Sequence, residues 1–201
     1  MTGSFLRLGA FVLGLLGLKA VEVLEPHHAR TAPLRLRWIT NLGLGLVNGS
    51  LVSLLCASCF VLTAQGRLPA AFALLPRLTS NVWVQIVVGV VLLDLLSYAL
   101  HRAYHRSPFL WRFHVVHHTD LDLDVSSASR FHTGEVLFSS TAKLGAVIAF
   151  GIPPAGLVVF EVVMLACSQF QHANIKVPAM LEPILWRTLV PPAMHRIHHV
   201  P

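Results

Sequence analysis

Long apolar stretches with few or no charges recur along this 201-residue chain. Trp38–Gln65 contains no charged side chain, and Leu78–Leu100 contains only Asp94. A helix needs about 20 predominantly apolar residues to cross the roughly 30 Å hydrocarbon layer of a bilayer. Each stretch therefore predicts a membrane span, and residues 4–24, whose charged side chains lie near the two ends, predict another one before them.

A paired apolar pattern follows in the second half of the chain. Val136–Phe150 and Leu157–Gln171 are apolar, and the segment between them contains Gly151, Pro153 and Pro154. Because proline and glycine end helices, this pattern predicts a helical hairpin. At 1.5 Å per residue each leg is about 22 to 25 Å long, which suits a tilted or partly penetrating pair.

Together these patterns predict an all-α fold: a multi-pass membrane helical bundle of three spans plus a helical hairpin. The polar residues 25–38 carry three arginines and predict a cytoplasmic loop by the positive-inside rule. Residues 66–80 are too short to cross, and we expect them to lie along the opposite interface. We expect one integral membrane domain over residues 1–201, with the N-terminal spans and interfacial segment in 1–80 and a histidine-rich region in 81–201.

Composition agrees with a membrane protein, since 55% of the residues are hydrophobic and only 12% are charged. The formal net charge is +6 at pH 7. The basic residues are scattered among short loops beside the predicted spans and do not form one stripe. Lipid headgroups are therefore the expected counter-charge, and we expect no nucleic-acid partner.

Histidine is concentrated in three short segments: HRAYH at 101–105, HVVHH at 114–118 and HRIHH at 195–199. Histidines in these segments are spaced i, i+4 or i, i+3, i+4, so each set shares one face of a helix, with Cβ atoms about 5 to 6 Å apart. Neutral imidazole is the commonest metal-ligating side chain. Three such sets in one chain therefore predict metal binding.

The predicted topology brings all these histidines to one side of the membrane, where they form a cytoplasmic, histidine-rich metal-binding cap. Two isolated histidines, at the start and the end of the hairpin, join the eight box histidines there. Ten histidines exceed the needs of one four- to six-coordinate metal, so their number indicates two metals. The candidate ligands are His101, His105, His114, His117, His118, His132, His172, His195, His198 and His199.

In their order and spacing the three boxes resemble the eight-histidine pattern of the membrane fatty acid hydroxylase and sterol desaturase superfamily. The segment LWRFH before the second box, SSASRFHTGE around His132 and QHAN around His172 are similar to its sterol desaturase branch. Asp94 and Tyr98, ahead of the first box, also fit that branch. The resemblance covers about residues 80–199.

This resemblance implies a non-haem di-iron oxidoreductase of lipids, with two Fe ions held by the box histidines and O2 as co-substrate. The substrate, whether a sterol, a fatty acyl chain or another apolar lipid, stays open, and so does the choice between hydroxylation and desaturation. An external donor, a ferredoxin or a cytochrome b5-like protein, is expected to supply electrons. Family members usually continue beyond the last box, so a sequence that stops at Pro201 is either a fragment or a short member.

Asp94 and Tyr98 are the candidate catalytic residues outside the boxes. Together with His101 and His105 they follow one helix face at spacings of four, three and four. Carboxylates commonly orient metal-ligating histidines, and an aspartate inside a membrane indicates function. The alternative is a structural hydrogen bond between Asp94 and Tyr98 or a neighbouring span.

Two other function classes use histidine clusters beside membrane helices, namely metal transporters and zinc-dependent membrane hydrolases. A transporter places ligands near the bilayer midplane, along a route of intramembrane acids. A zinc hydrolase needs about three protein ligands and a general base. Here the ligands are expected at one face, the motif HExxH is absent, and ten histidines are too many for one zinc ion.

Overall fold

A computed structural model describes residues 2–64 and 73–200 of the chain, without the side chains of residues 2 and 56–64. Helices dominate these ranges, and no strand occurs in them beyond an isolated bridge between Pro26 and Ile175. The all-α prediction is confirmed. The helices are α1 (Thr2–Leu24), α2 (Leu34–Ala64), α3 (Leu74–Leu78), α4 (Val82–Arg106), α5 (Pro108–His118), α6 (Thr133–Phe150), α7 (Pro154–His172), α8 (Glu182–Thr188) and α9 (Pro192–His198), with a short 3-10 helix at Val125–Ser129.

Four of the described helices are long and apolar enough to cross a membrane. They are Gly3–Leu24 of α1, Leu34–Leu55 of α2, the whole of α4 and the whole of α7. No more than 17% of any of these apolar windows is buried within the protein, so most of their side chains face outward, as lipid contact requires. The three predicted spans and the second hairpin leg are all in this group, and the chain is an integral membrane protein.

The spans differ from their predicted bounds where polar residues continue a helix. The third span was expected to end at Leu100, but α4 continues to Arg106 and carries the whole first histidine box. Hydropathy marks the end of the membrane-embedded part, whereas backbone hydrogen bonding continues beyond it. Of the predicted interfacial segment, residues 74–78 form α3, and residues 66–72 lie outside the described residues.

A left-handed glycine forms the hairpin turn between α6 and α7. Gly151 has φ 66°, and its N–H donates to Ile148 O while the next N–H, that of Ile152, donates to Val147 O. This conformation strains any residue with a Cβ, and a Cβ here would lie 2.7 Å from that of Ala73. The sequence pattern of glycine followed by two prolines therefore predicted the turn correctly.

The described residues form two compact units. The first unit comprises residues up to 45, 115–130 and 162–200, and the second comprises the described residues of 46–114 and 131–161. Three helices, α2, α5 and α7, contribute residues to both units. Each unit is therefore built from chain segments that lie far apart in sequence.

A buried arginine–carboxylate network organises the first unit. Arg37 Nε and Nη2 donate to the two carboxylate oxygens of Asp120 at 2.8 and 3.0 Å, and Nη1 donates to Asp124 at 3.2 Å. Burial raises the pKa of Asp120, but hydrogen bonds from Arg37, Ser127 and Asn41 outweigh it and hold the pKa below its ordinary value. These hydrogen bonds connect α2 to the loop that follows the second histidine box.

A buried glutamate makes a second connection in the first unit. Glu22, near the end of α1, is 1% exposed. Its Oε1 accepts the backbone N–H of Val125 at 2.7 Å and that of Asn174 at 2.9 Å, and its Oε2 pairs with Lys19 at 3.0 Å. Glu22 thus fixes the backbone two residues after His172, one of the predicted ligands.

Candidate metal centres

Four buried histidines converge in the first unit. One lies on α5, one ends α7, and two belong to α9 and its C-cap: His117, His172, His195 and His199. The Nε2 of His172 lies 3.1 Å from that of His117 and 3.0 Å from that of His195. The Nε2 atoms of His195 and His199 are 3.1 Å apart. Four of the ten predicted ligands thus meet in a single cluster.

The partners of the other ring nitrogens determine the tautomers in this cluster. His117 Nδ1 lies 3.1 Å from Arg130 O, and His172 Nδ1 lies 2.7 Å from Ser168 O. A carbonyl oxygen can only accept, so both Nδ1 atoms carry the proton and both Nε2 atoms carry a lone pair. Two lone pairs that face each other at 3.1 Å repel in neutral rings, and a cation between them removes the repulsion. The cluster is therefore suited to a metal ion.

The distances between these nitrogens also match metal coordination. Nitrogen ligands lie about 2.0 to 2.1 Å from a metal such as zinc, and similar lengths hold for other divalent ions of this row. At that length, Nε2 atoms 3.0 to 3.1 Å apart subtend an angle of roughly 95° at the ion. This angle is close to that between neighbouring ligands of a six-coordinate ion.

Two more predicted ligands lie beside this cluster in the first unit. The rings of His118 and His198 have centroids 4.9 Å apart. His118 also stacks on His199, with centroids 4.3 Å apart and planes 16° apart. The second and third boxes therefore meet through several ring pairs.

The remaining box histidines form a triangle in the second unit. The ring centroids of His101, His105 and His114 are 4.7, 4.8 and 4.9 Å apart. Each ring offers a ligand atom within 4.8 Å of those of the other two. The first box on α4 and the first histidine of α5 thus make a second candidate metal centre.

A carboxylate that the sequence analysis did not assign supports this triangle. Glu135 is 6% exposed, and its Oε1 lies 2.7 Å from His114 Nδ1. The ring of Tyr104 stacks on His114, and its hydroxyl lies 3.2 Å from Glu135 O and 2.8 Å from Ser139 Oγ. A carboxylate at Nδ1 favours the proton on that nitrogen and leaves Nε2 of His114 as the ligand atom.

His132 occupies a different position from the other predicted ligands. It is the N-cap of α6, and its Nδ1 accepts the N–H of Gly134 at 2.9 Å. Its ring packs edge-on against Phe113, with centroids 5.1 Å apart. Within the described chain His132 belongs to neither cluster, and only its Nε2 remains for a metal. Its assignment as a ligand stays a prediction.

The predicted catalytic residues Asp94 and Tyr98 lie on an exposed face of α4. Tyr98 is 57% exposed, and its hydroxyl accepts a hydrogen bond from Arg102 Nη1 at 2.7 Å. In residues 2–64 and 73–200 no hydrogen bond joins Asp94 or Tyr98 to a histidine. The structure does not bring these two residues to the clusters, and their catalytic role stays a prediction.

Comparison with known proteins agrees with the histidine geometry. A family model described as fatty acid hydroxylase matches residues 86–201, which is more than half of the chain and includes all three boxes. The chain belongs to the fatty acid hydroxylase family. This fatty acid hydroxylase family member is also 29% identical, over 115 residues, to the ornithine lipid hydroxylase OlsE of Rhizobium tropici.

That similarity is partial in both proteins. It covers 57% of this family member but only 34% of the Rhizobium protein, so the chain matches about a third of its relative's length. No solved structure matches the chain.

Proposed function

We propose that this fatty acid hydroxylase family member is a membrane-bound oxidoreductase that hydroxylates a lipid with O2 at two histidine-held irons. The main support for this proposal is that the histidines form two clusters, with four buried rings in the first unit and three rings in the second. One iron at each cluster accounts for more histidines than a single metal can bind.

The donor set supports iron over zinc. Structural zinc sites are tetrahedral, and catalytic zinc sites usually have three protein ligands and one open position. The first cluster offers four nitrogens at neighbouring-ligand distances, which suits a six-coordinate ion with positions left for other ligands. An all-nitrogen set also differs from the carboxylate-rich di-iron sites of soluble helical bundles.

When bound, the two irons supply the reduction of O2 that makes an unactivated C–H bond reactive. The overall reaction takes one C–H bond, O2, two electrons and two protons to one alcohol and one water. The protein holds the ligands in place: carbonyls fix the tautomers of His117 and His172, and Glu135 orients His114. The mostly exposed apolar helices allow a lipid to approach from within the bilayer.

The relative supports hydroxylation over desaturation. The Rhizobium protein is named for hydroxylation of ornithine lipids, and the family is named for hydroxylation of fatty acids. Acyl lipids with a polar headgroup therefore join fatty acyl chains and sterols as candidate substrates.

Lipid mass spectrometry with isotopic oxygen tests this function. In cells that express the protein, one lipid is expected to gain the mass of one oxygen atom, and growth under 18O2 is expected to place 18O in that product. Cells without the gene are the control. Loss of two hydrogens would instead identify a desaturase, and a product that forms equally well without O2 would refute the oxygenase proposal.

We also propose that the histidine clusters face the cytoplasm, where an acidic ferredoxin or cytochrome b5-like protein donates electrons. Exposed arginines near the boxes, at positions 102, 106 and 112, suit an acidic donor. Reduction by such a donor is expected to slow as the salt concentration rises, because salt screens the attraction between the charges. The orientation is tested separately: a Thr119→Cys variant is expected to react at residue 119 with a membrane-impermeant maleimide only in inside-out vesicles. Labelling of residue 119 from the outside of intact cells would contradict the proposed orientation.

A further inference from the structure

A small cavity with both signs of charge lies in the first unit. Its volume is about 140 Å³, and its walls come from the loop after α1, the segment after α7, and the starts of α8 and α9. The lining residues that matter here are His27, Lys176 and Glu182, together with the apolar Ile175 and Val177. Neither the resemblance nor the candidate metal centres assign a role to this cavity.

Lys176 is exposed and Glu182 is half-buried, so both charged side chains are accessible to a ligand that enters this cavity. In the described ranges neither the Lys176 ammonium nor the Glu182 carboxylate forms a hydrogen bond or an ion pair. Both nevertheless line one small space, with the imidazole of His27 as a further polar group. A ligand that carries one charge of each sign can pair with both side chains at once, whereas an ion of a single sign meets one repulsive group.

Backbone contacts hold the cavity wall in a fixed conformation. Pro26 and Ile175 form an isolated antiparallel bridge, and the N–H of His27 donates to Asn174 O at 3.1 Å. Asn174 is itself fixed, because its N–H donates to the buried Glu22 and its side-chain amide donates to His28 O at 2.9 Å. A wall that is already ordered loses little entropy when a ligand binds.

The cavity lies close to the four-histidine cluster of the same unit. Ile175 follows His172 by three residues, and Ala193, another lining residue, precedes His195 by two. Because an extended chain spans at most about 3.6 Å per residue, these wall residues lie within about 11 and 7 Å of ligand backbones. A headgroup held here would keep the first carbons of its lipid within reach of the cluster.

We propose that this cavity binds the headgroup of the lipid substrate, and that this headgroup carries one ammonium and one acidic group. The inference rests on the lipid oxidation proposed above and narrows its substrate class. Lys176 pairs with the acidic group and Glu182 with the ammonium. The volume of about 140 Å³ and the two charged side chains suit a small charged headgroup better than an acyl chain.

Two kinds of lipid have this headgroup chemistry. Amino-acid lipids carry an ammonium together with a carboxylate, and phosphatidylethanolamine carries an ammonium together with a phosphate. Binding to the purified full chain in detergent is measured by native mass spectrometry with four probes of equal acyl length: an ornithine lipid, phosphatidylethanolamine, phosphatidylglycerol and diacylglycerol. Preference for either zwitterionic lipid over the last two supports the proposal and identifies the source.

Charge reversal tests the assigned residues. Lys176→Glu and Glu182→Lys are each expected to weaken binding of the preferred lipid by about tenfold, because each change replaces an attraction with a repulsion. The double variant, Lys176→Glu with Glu182→Lys, is expected to recover binding to within about threefold, since it restores one charge of each sign. Arg187→Glu, on α8 but outside the cavity lining, is the matched control and should change nothing.

The outcomes separate this proposal from the proposed function. Equal binding of all four lipids, or single variants that bind like the unmodified protein, would overturn the headgroup site even if the protein oxidises lipids. Charge-dependent binding without any O2-dependent product would refute the oxygenase and leave the headgroup site in place. Iron content, measured in every variant, is expected to stay constant, because none of the changed residues belongs to a histidine cluster.

Discussion

A His172→Ala variant is expected to lose the iron of the first unit and to lower lipid oxidation by more than about 100-fold. His172 is the central ring of its cluster, with its Nε2 at 3.1 Å from that of His117 and 3.0 Å from that of His195. Loss of a residue that only orients a ligand typically costs 10- to 100-fold in metal affinity or activity, so loss of a ligand itself should cost more. Iron per chain and the yield of oxygenated lipid are the two measurements.

A stability measurement distinguishes a metal ligand from a structural histidine. Addition of Fe(II) without oxygen is expected to raise the thermal unfolding midpoint of the unmodified, metal-depleted protein, because the ion binds the folded state. The same addition should raise the midpoint of His172→Ala much less. His28→Ala, which removes an exposed histidine of the same unit, is the matched control and should respond like the unmodified protein. Full iron retention by His172→Ala would contradict the assignment.

The second large effect is expected at Glu135. A Glu135→Ala variant should lower iron affinity at the second-unit cluster by roughly 10- to 100-fold, because His114 loses the carboxylate that fixes its tautomer. Iron per chain should then fall from two toward one under chelator competition, while the first cluster keeps its ion. Glu135→Gln retains an oxygen acceptor at Nδ1 without the charge, so its loss should be smaller than that of the alanine variant.

An exposed glutamate supplies the control for this experiment. Glu25→Gln, in the loop after α1, changes the net charge by the same amount as Glu135→Gln but lies on the surface of the first unit. It should leave iron content and affinity unchanged. If Glu135→Ala holds two irons as tightly as the unmodified protein, Glu135 has a packing role only.

The spacing of the histidines predicted much of the site because helix geometry determines what a spacing of three or four means. His101 and His105 lie on α4, His114 to His118 lie on α5, and His195 and His198 lie on α9, as the box pattern indicated. The clustering of His172 with these rings was also expected from its place at the end of the hairpin.

Helix periodicity alone could not predict which part of a helix face reaches the site. Asp94 and His101 do share a face of α4, but seven residues at 1.5 Å per residue separate them by about 10 Å along the axis. Asp94 is exposed at that distance from the first box. Distance along the helix matters as much as angle around it.

Glu135 was missed because its partner is distant in sequence. It lies 21 positions after His114, and an acidic residue in the first turn of a helix is common for electrostatic reasons alone. The available signal was an acidic residue that starts an apolar helix three positions after the predicted ligand His132. Two backbone carbonyls, of Arg130 and Ser168, were also missed, and no side-chain pattern can reveal such contacts.

The four buried histidines come from distant parts of the chain, and this determines when during synthesis they can meet. His172 follows His117 by 55 positions, and His195 follows His172 by a further 23. The ribosome must therefore synthesise α9 before the four rings can meet, so the metal ion proposed for this cluster can bind all four only after that. Under the di-iron proposal, chains made during iron starvation would lack the stabilisation that the ion gives the folded state, and membrane proteases would degrade them faster.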